Sequence, residues 1–202
     1  MGSMIDRTAY AANLERVGLR MRSTVDRILR AYDKATEADR AAGERWYNVA
    51  HDLAEELSDS LGSVEHAACV ISHLSPRTSW KRNERAARDL AAGVNPSYAI
   101  GANVKRARGC LNEQDPYVTL GGLKTQAFAR NILGCEESVT VDVWAARVAV
   151  GSRYADAEAL LRLAGVYEAI AQAYRIAARR RGVTPRTMQA TCWVVVRGGR
   201  AD

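Results

Sequence analysis

Apolar positions recur at helical spacing along almost the whole chain. From Thr8 to about Lys34, the residues Leu14, Val17, Met21, Val25, Ile28, Leu29 and Tyr32 fall on one face and predict a first helix. A second runs from about Ala38 to Leu61, with Trp46, Val49, Ala50, Leu53 and Leu57 as its stripe and Gly62 as its stop. Ser63 is placed to cap "VEHAACVISHL", whose nearly continuous apolar run suits a helix at the centre of a core. Pro76 in "SPRTSW" disfavours helix at Ser75, and Ser79 stands where a cap for "WKRNERAARDLAAG" is expected. Gly93, Asn95 and Pro96 mark a loop, "ANVKRARGCL" a short basic helix, and Asp115-Pro116 a turn. "LKTQAFARNIL" and "VDVWAARVAV" follow as helices ended by Gly134 and Gly151. Two more cover about Ala155 to Leu163 and Tyr167 to Arg181. Thr184-Pro185, a cap and a proline at the first helical position, opens "RTMQATCWVVVRG", although "WVVV" alone would suit a strand. The pattern predicts an all-α chain of about eight to ten helices in two lobes, without repeats or a clear linker.

Composition narrows the class. Of 202 residues, 48% are apolar and 26% charged, which fits a globular, soluble chain. The formal charge of +6 suits a polyanionic partner without proving one. Cys69, Cys110, Cys135 and Cys192 lie too far apart for a local zinc motif and read as reduced thiols of a cytoplasmic protein. No apolar run approaches the length of a membrane span. Residues 1–3 of "MGSM" look like a vector scar, leaving 4–202 as one two-lobed domain, expected to be monomeric.

The candidate chemistry lies in "LGGLKTQAFARNILGCEESVTVDVWAARV". Gly121 and Gly122 precede a helix, so backbone can approach another molecule there, at the positive end of a helix dipole. Lys124 and Thr125 add a charge and a hydroxyl. The plain alternative is a turn with a solvated lysine. Asp142 opens the next helix and reads either as a cap or as a functional carboxylate, two compatible roles.

Together these residues resemble the central motif of the helix-hairpin-helix DNA glycosylases, the endonuclease III-like superfamily. That family places a glycine-rich hairpin before a helix with an early lysine, the nucleophile of its bifunctional members. A catalytic aspartate follows eighteen residues later in a Val-Asp step, then an arginine-valine pair. Lys124, Val141-Asp142 and Arg147-Val148 fill these positions. In "VISHLSPRTSW" the Leu74-Ser75 step resembles the one that opens a loop entering the DNA stack, and Arg77 falls at the inserting position. The chain departs from the pattern in its short "TLGGLKT" hairpin and in Trp144, which stands where a histidine is usual. It also lacks the C-terminal four-cysteine cluster, so the resemblance implies no iron–sulfur cluster and no other cofactor.

The resemblance implies an enzyme that flips a modified pyrimidine out of DNA. Lys124 would attack C1′ as a neutral amine while Asp142 stabilises charge developing on the sugar. Gly121, Gly122, Thr125, Arg77, Lys81 and Arg82 would contact DNA, with Arg85, Lys105, Arg106 and Arg108 as further phosphate trackers. His73, Ser75, Trp80 and Trp144 would line the pocket. A phage branch of the superfamily resembles α-glutamyl/putrescinyl thymine pyrophosphorylases, which exchange an activated 5-hydroxymethyl substituent on thymine for an amine or amino acid. In that branch Lys124 and Asp142 would hold the leaving phosphate or deprotonate the amine co-substrate. A catalytically silent DNA-binding helical module is the third reading. His51, His66 and His73, like Trp193 and Tyr174, are otherwise ordinary core positions.

Overall fold

The computed structural model describes residues 7–151 and 156–198, and these are helical without a strand. The scar at residues 1–3, the expected start at Met4 and the helix start near Ala155 lie outside the described residues. Eleven α-helices occur among the described residues. They are α1 (Arg7–Arg16), α2 (Met21–Asp33), α3 (Glu37–Leu61), α4 (Val64–Leu74), α5 (Trp80–Ala91), α6 (Gly101–Cys110), α7 (Leu123–Ile132), α8 (Val143–Val150), α9 (Ala157–Leu161), α10 (Val166–Arg181) and α11 (Pro185–Val196). A 3-10 turn at Pro116–Thr119 precedes α7. The chain divides into two compact units, one from its two ends (to Glu44 and from Val139) and one from Arg45–Ser138. No described helix is long and apolar enough to cross a membrane.

The first unit packs α2 against α8, α10 and α11. Val25, Ile28, Leu29 and Tyr32 of α2 are buried, as their spacing predicts. The expected first helix is two, however. Gly18 adopts φ 59°, its N–H bonds to the Glu15 carbonyl, and the Leu19 N–H reaches back to Leu14. Val17 and Leu19 on either side of this turn are buried, so the stripe that contains Val17 reads across the break. Tyr174 is fully buried in α10, and its hydroxyl donates to the Ala145 carbonyl at 3.2 Å. Gly43 of α3 lies so close to α11 that a Cβ there would sit 2.6 Å from the Thr191 Cα, so only glycine fits.

In the second unit α4 is central, flanked by α5, α6, α7 and the 3-10 turn. Every residue from Ala67 to Leu74 is buried. Ser63 caps α4 by accepting the His66 N–H at 3.2 Å. Fully buried Ala86, Ala87, Ala107 and Ala129 let the neighbouring helices approach closely. On α3 Ala50, Leu53 and Leu57 are buried as their spacing predicts and Trp46 is half-buried, but one position of the expected stripe departs. Val49 is 46% exposed, whereas Tyr47 is buried and meets the Phe128 ring edge-on at 6.1 Å. Aromatic area outweighs the branched aliphatic at this contact.

Candidate functional site

The helix α4 ends at Leu74, before the Ser75-Pro76 step. The Ser75 hydroxyl turns back and donates to the Ser72 carbonyl at 2.9 Å. With its proton committed there, the oxygen accepts from the Lys124 ammonium, 3.4 Å away on the first turn of α7. The two motif residues, 49 positions apart in sequence, thus meet within one unit.

The loop beyond Ser75 is tied to its neighbours by hydrogen bonds. Arg77 adopts φ 58°, the left-handed region that costs a non-glycine residue about 1 kcal/mol or more. The Pro76 carbonyl accepts from the Asn103 amide at 3.0 Å and the Thr78 hydroxyl at 3.2 Å. The buried Asn83 amide donates to Ile71 at 3.1 Å, tying α5 to α4. Arg77 itself is exposed. Trp80 is half-buried, with its ring edge-on to Trp46 at 5.1 Å. Ser79 occupies the cap position of α5 without a side-chain cap bond. Lys81 and Arg82 are exposed on α5, and Arg82 and Arg85 lie over the Tyr98 ring at 5.6 and 4.4 Å.

His73 is 4% exposed, and its Nε2 lies 2.8 Å from the Thr119 hydroxyl. That hydroxyl donates to the Pro116 carbonyl at 2.7 Å, so it accepts from His73, which carries its proton on Nε2 when neutral. Burial, and then the nearby Arg106 charge, holds the imidazole pKa below the usual histidine value. The unfolded chain therefore binds this proton more readily than the folded one. The stability linked to neutral His73 is complete above about pH 6.5 and is lost as pH falls below that value toward the lowered folded pKa. We expect the urea midpoint to fall in that window, at no more than about 1.4 kcal/mol per pH unit, the one-proton limit. A His73→Gln variant should be flat there. His51 and His66 are hydrogen-bonded too, to the Ile132 carbonyl at 2.9 Å and the Glu113 carbonyl at 3.0 Å.

Gly121 and Gly122 are exposed, and neither has a positive φ. A Cβ at Gly121 would meet nothing within 4 Å, and one at Gly122 only the Thr125 hydroxyl at 3.5 Å. The fold of this chain does not itself demand glycine at either place. Thr125 donates its hydroxyl to the Gly122 carbonyl at 2.9 Å, leaving the oxygen as an acceptor. The Tyr117 hydroxyl donates to the Gln126 carbonyl, and the Gln126 amide reaches Leu120 at 2.7 Å, fixing the turn to α7.

Asp142 belongs to the first unit. It caps α8, with Oδ1 accepting the Ala145 N–H at 2.8 Å. The chain leading to it is anchored by Tyr167, whose hydroxyl donates to Val139 at 2.9 Å and accepts from the Val141 N–H at 3.1 Å. Burial pushes the Tyr167 phenol up to about 12, and the Asp142 charge adds to that rise. Trp144 is half-buried, with the Arg147 guanidinium 4.8 Å from its ring centre. The anchors Thr119, Tyr167, Asn83 and Asn103 carry no local sequence signal, because their partners lie many residues away. Cys69, Cys110 and Cys192 are buried thiols and Cys135 is exposed. Among the described residues no group of His, Cys, Asp or Glu could hold a metal ion.

No curated protein and no solved structure matches the chain. A family model described as a family of unknown function, DUF7178, covers residues 11–200, and the chain belongs to that family.

Proposed function

We propose that the protein is a base-flipping enzyme of DNA, a glycosylase acting on a modified pyrimidine. The observation that carries this reading is the Lys124 side-chain nitrogen held against the Ser75 hydroxyl, which joins the glycine-preceded helix to the loop presenting Arg77. In this reading the 3-10 turn, Gly121-Gly122 and α7 form the hairpin and second helix of a helix-hairpin-helix element. Backbone N–H groups there take a phosphate, and Arg77 fills the gap left by the flipped nucleotide. Lys81, Arg82 and their neighbours neutralise further phosphates, making affinity steeply salt-dependent. Lys124, as the neutral amine, attacks C1′ while the C1′–N bond breaks and the base departs, and Asp142 stabilises positive charge on the sugar.

A second reading has an observation of its own. A hydroxyl that accepts from Lys124 favours the ammonium over the amine. A cationic lysine suits holding a leaving phosphate, as in exchange of a phosphate-activated 5-hydroxymethyl substituent for an amine or amino acid, in which the C–O bond to the phosphate breaks as the C–N bond forms. Nucleoside mass spectrometry of DNA carrying modified pyrimidines separates the two readings, since one gives a lost base and the other an altered base. Unchanged nucleosides across all such substrates would refute both.

The glycines provide an independent check on binding. Gly122→Val is expected to weaken DNA affinity about tenfold or more by obstructing phosphate approach, roughly the worth of one charge-assisted hydrogen bond. The thermal midpoint should change little, since a Cβ there makes only ordinary contact. Equal DNA affinity in fluorescence anisotropy would remove Gly122 from the interface.

A further inference from the structure

The loop before α6 and the first turns of that helix border an open recess of about 460 Å³ in the second unit. Pro96, Ser97, Gly101 and Val104 line it together with Lys105 and Arg108, and no carboxylate does. Lys105 and Arg108 stand three residues apart on α6, so they project to the same side. Both side chains are exposed, and neither makes a hydrogen bond or an ion pair among the described residues. This contrasts with Arg88 and Arg181, which pair with Glu56 and Asp33. Two uncompensated cations lining one recess repel each other, and an anion seated between them relieves that repulsion. Gly101, at the positive end of α6, adds to the same potential.

The recess is also larger than an inorganic anion needs, and it has an apolar side. Its volume falls in the range of small-molecule pockets, and the apolar residues Pro96 and Val104 line it beside the charged ones. We infer that this recess binds a nucleotide unit, with its phosphate on Lys105 and Arg108 and its sugar against Pro96 and Val104. The nucleotide is either one residue of a DNA strand or a free mononucleotide. The site is separate from Lys124 and does not depend on the chemistry assigned to that residue.

Amide chemical shifts of the full-length protein test the inference, with thymidine 5′-phosphate, inorganic phosphate and a short single-stranded oligonucleotide as probes. Thymidine 5′-phosphate should give saturable shifts at Ser97, Gly101 and Lys105. The Lys105→Gln/Arg108→Gln variant should weaken this about tenfold or more, the loss expected for charge-assisted bonds, with its remaining spectrum and melting unchanged. A Lys124→Gln variant should bind the nucleotide as well as the parent does, so failure of the catalytic reading leaves this site standing. The oligonucleotide identifies the source: displacement of the mononucleotide assigns the site to a strand, and lack of displacement assigns it to a free nucleotide. Absence of saturable shifts at these amides, unchanged affinity in the double variant, or equal response to inorganic phosphate would overturn the proposal.

Discussion

Asp142→Asn is expected to lower turnover on DNA by about 10²–10³-fold, the scale of losing one preorganised electrostatic group. The fold should survive, because asparagine caps a helix about as well as aspartate. Its side-chain oxygen can still accept the Ala145 N–H that Asp142 now holds at 2.8 Å. DNA affinity should stay equal or rise, since a negative charge has been removed from a polyanion's partner. Asp142→Ala is the contrasting variant, because it removes the cap as well and should cost about 1 kcal/mol of stability. A spectroscopic titration verifies that the substitution acts through charge. Burial is the main reason the Tyr167 phenol lies at about 12, and Asp142 contributes to the remainder. Without that carboxylate the phenolate forms more easily, so the phenol pKa should fall. Single-turnover kinetics, anisotropy and melting together decide the case. An Asp142→Asn variant with full turnover would leave Asp142 as a helix cap alone.

Much of this architecture was legible because its signals are local. Ser63, Asp142 and Thr184 cap the helices they were expected to cap, each by a bond to the third following residue. The starts and stops of α4, α7, α8 and α11 follow from caps, glycines and prolines that act within one turn. Two errors have one origin. Gly18 ends the first helix while Val17 stays buried, so the apolar period crosses a break that it cannot register. On α3 both Tyr47 and Val49 could face a core, and the position of Phe128 decides in favour of Tyr47. The candidate site divides in the same way. Lys124, Ser75 and Arg77 could be picked out by motif, but the contact between Lys124 and Ser75 is tertiary. The histidine tautomer set by Thr119, the left-handed backbone at Arg77 and the Tyr167 anchor are equally products of long-range packing.

Lys124→Gln should reduce turnover most, by about 10³-fold or more if the lysine is the attacking group. The half-buried side chain makes the fold tolerant of the change, so melting should be nearly unaltered. Borohydride should trap a protein–DNA adduct with the parent and none with the variant. The partner substitution Ser75→Ala then reports which protonation state works. The Ser75 oxygen accepts from Lys124 and so stabilises the ammonium; removing that oxygen lowers the lysine pKa. If Lys124 attacks as a neutral amine, the acidic limb of kcat/KM moves to lower pH, and activity below neutrality rises relative to the parent. If Lys124 instead holds a leaving phosphate as a cation, the alkaline limb moves to lower pH, and activity is lost sooner on the basic side. A Ser75 that only closes the end of α4 would shift neither limb, because its bond to the Ser72 carbonyl affects stability rather than titration. Full turnover in Lys124→Gln would end both enzymatic readings at this residue, and an unmoved pH profile in Ser75→Ala would separate the serine from it.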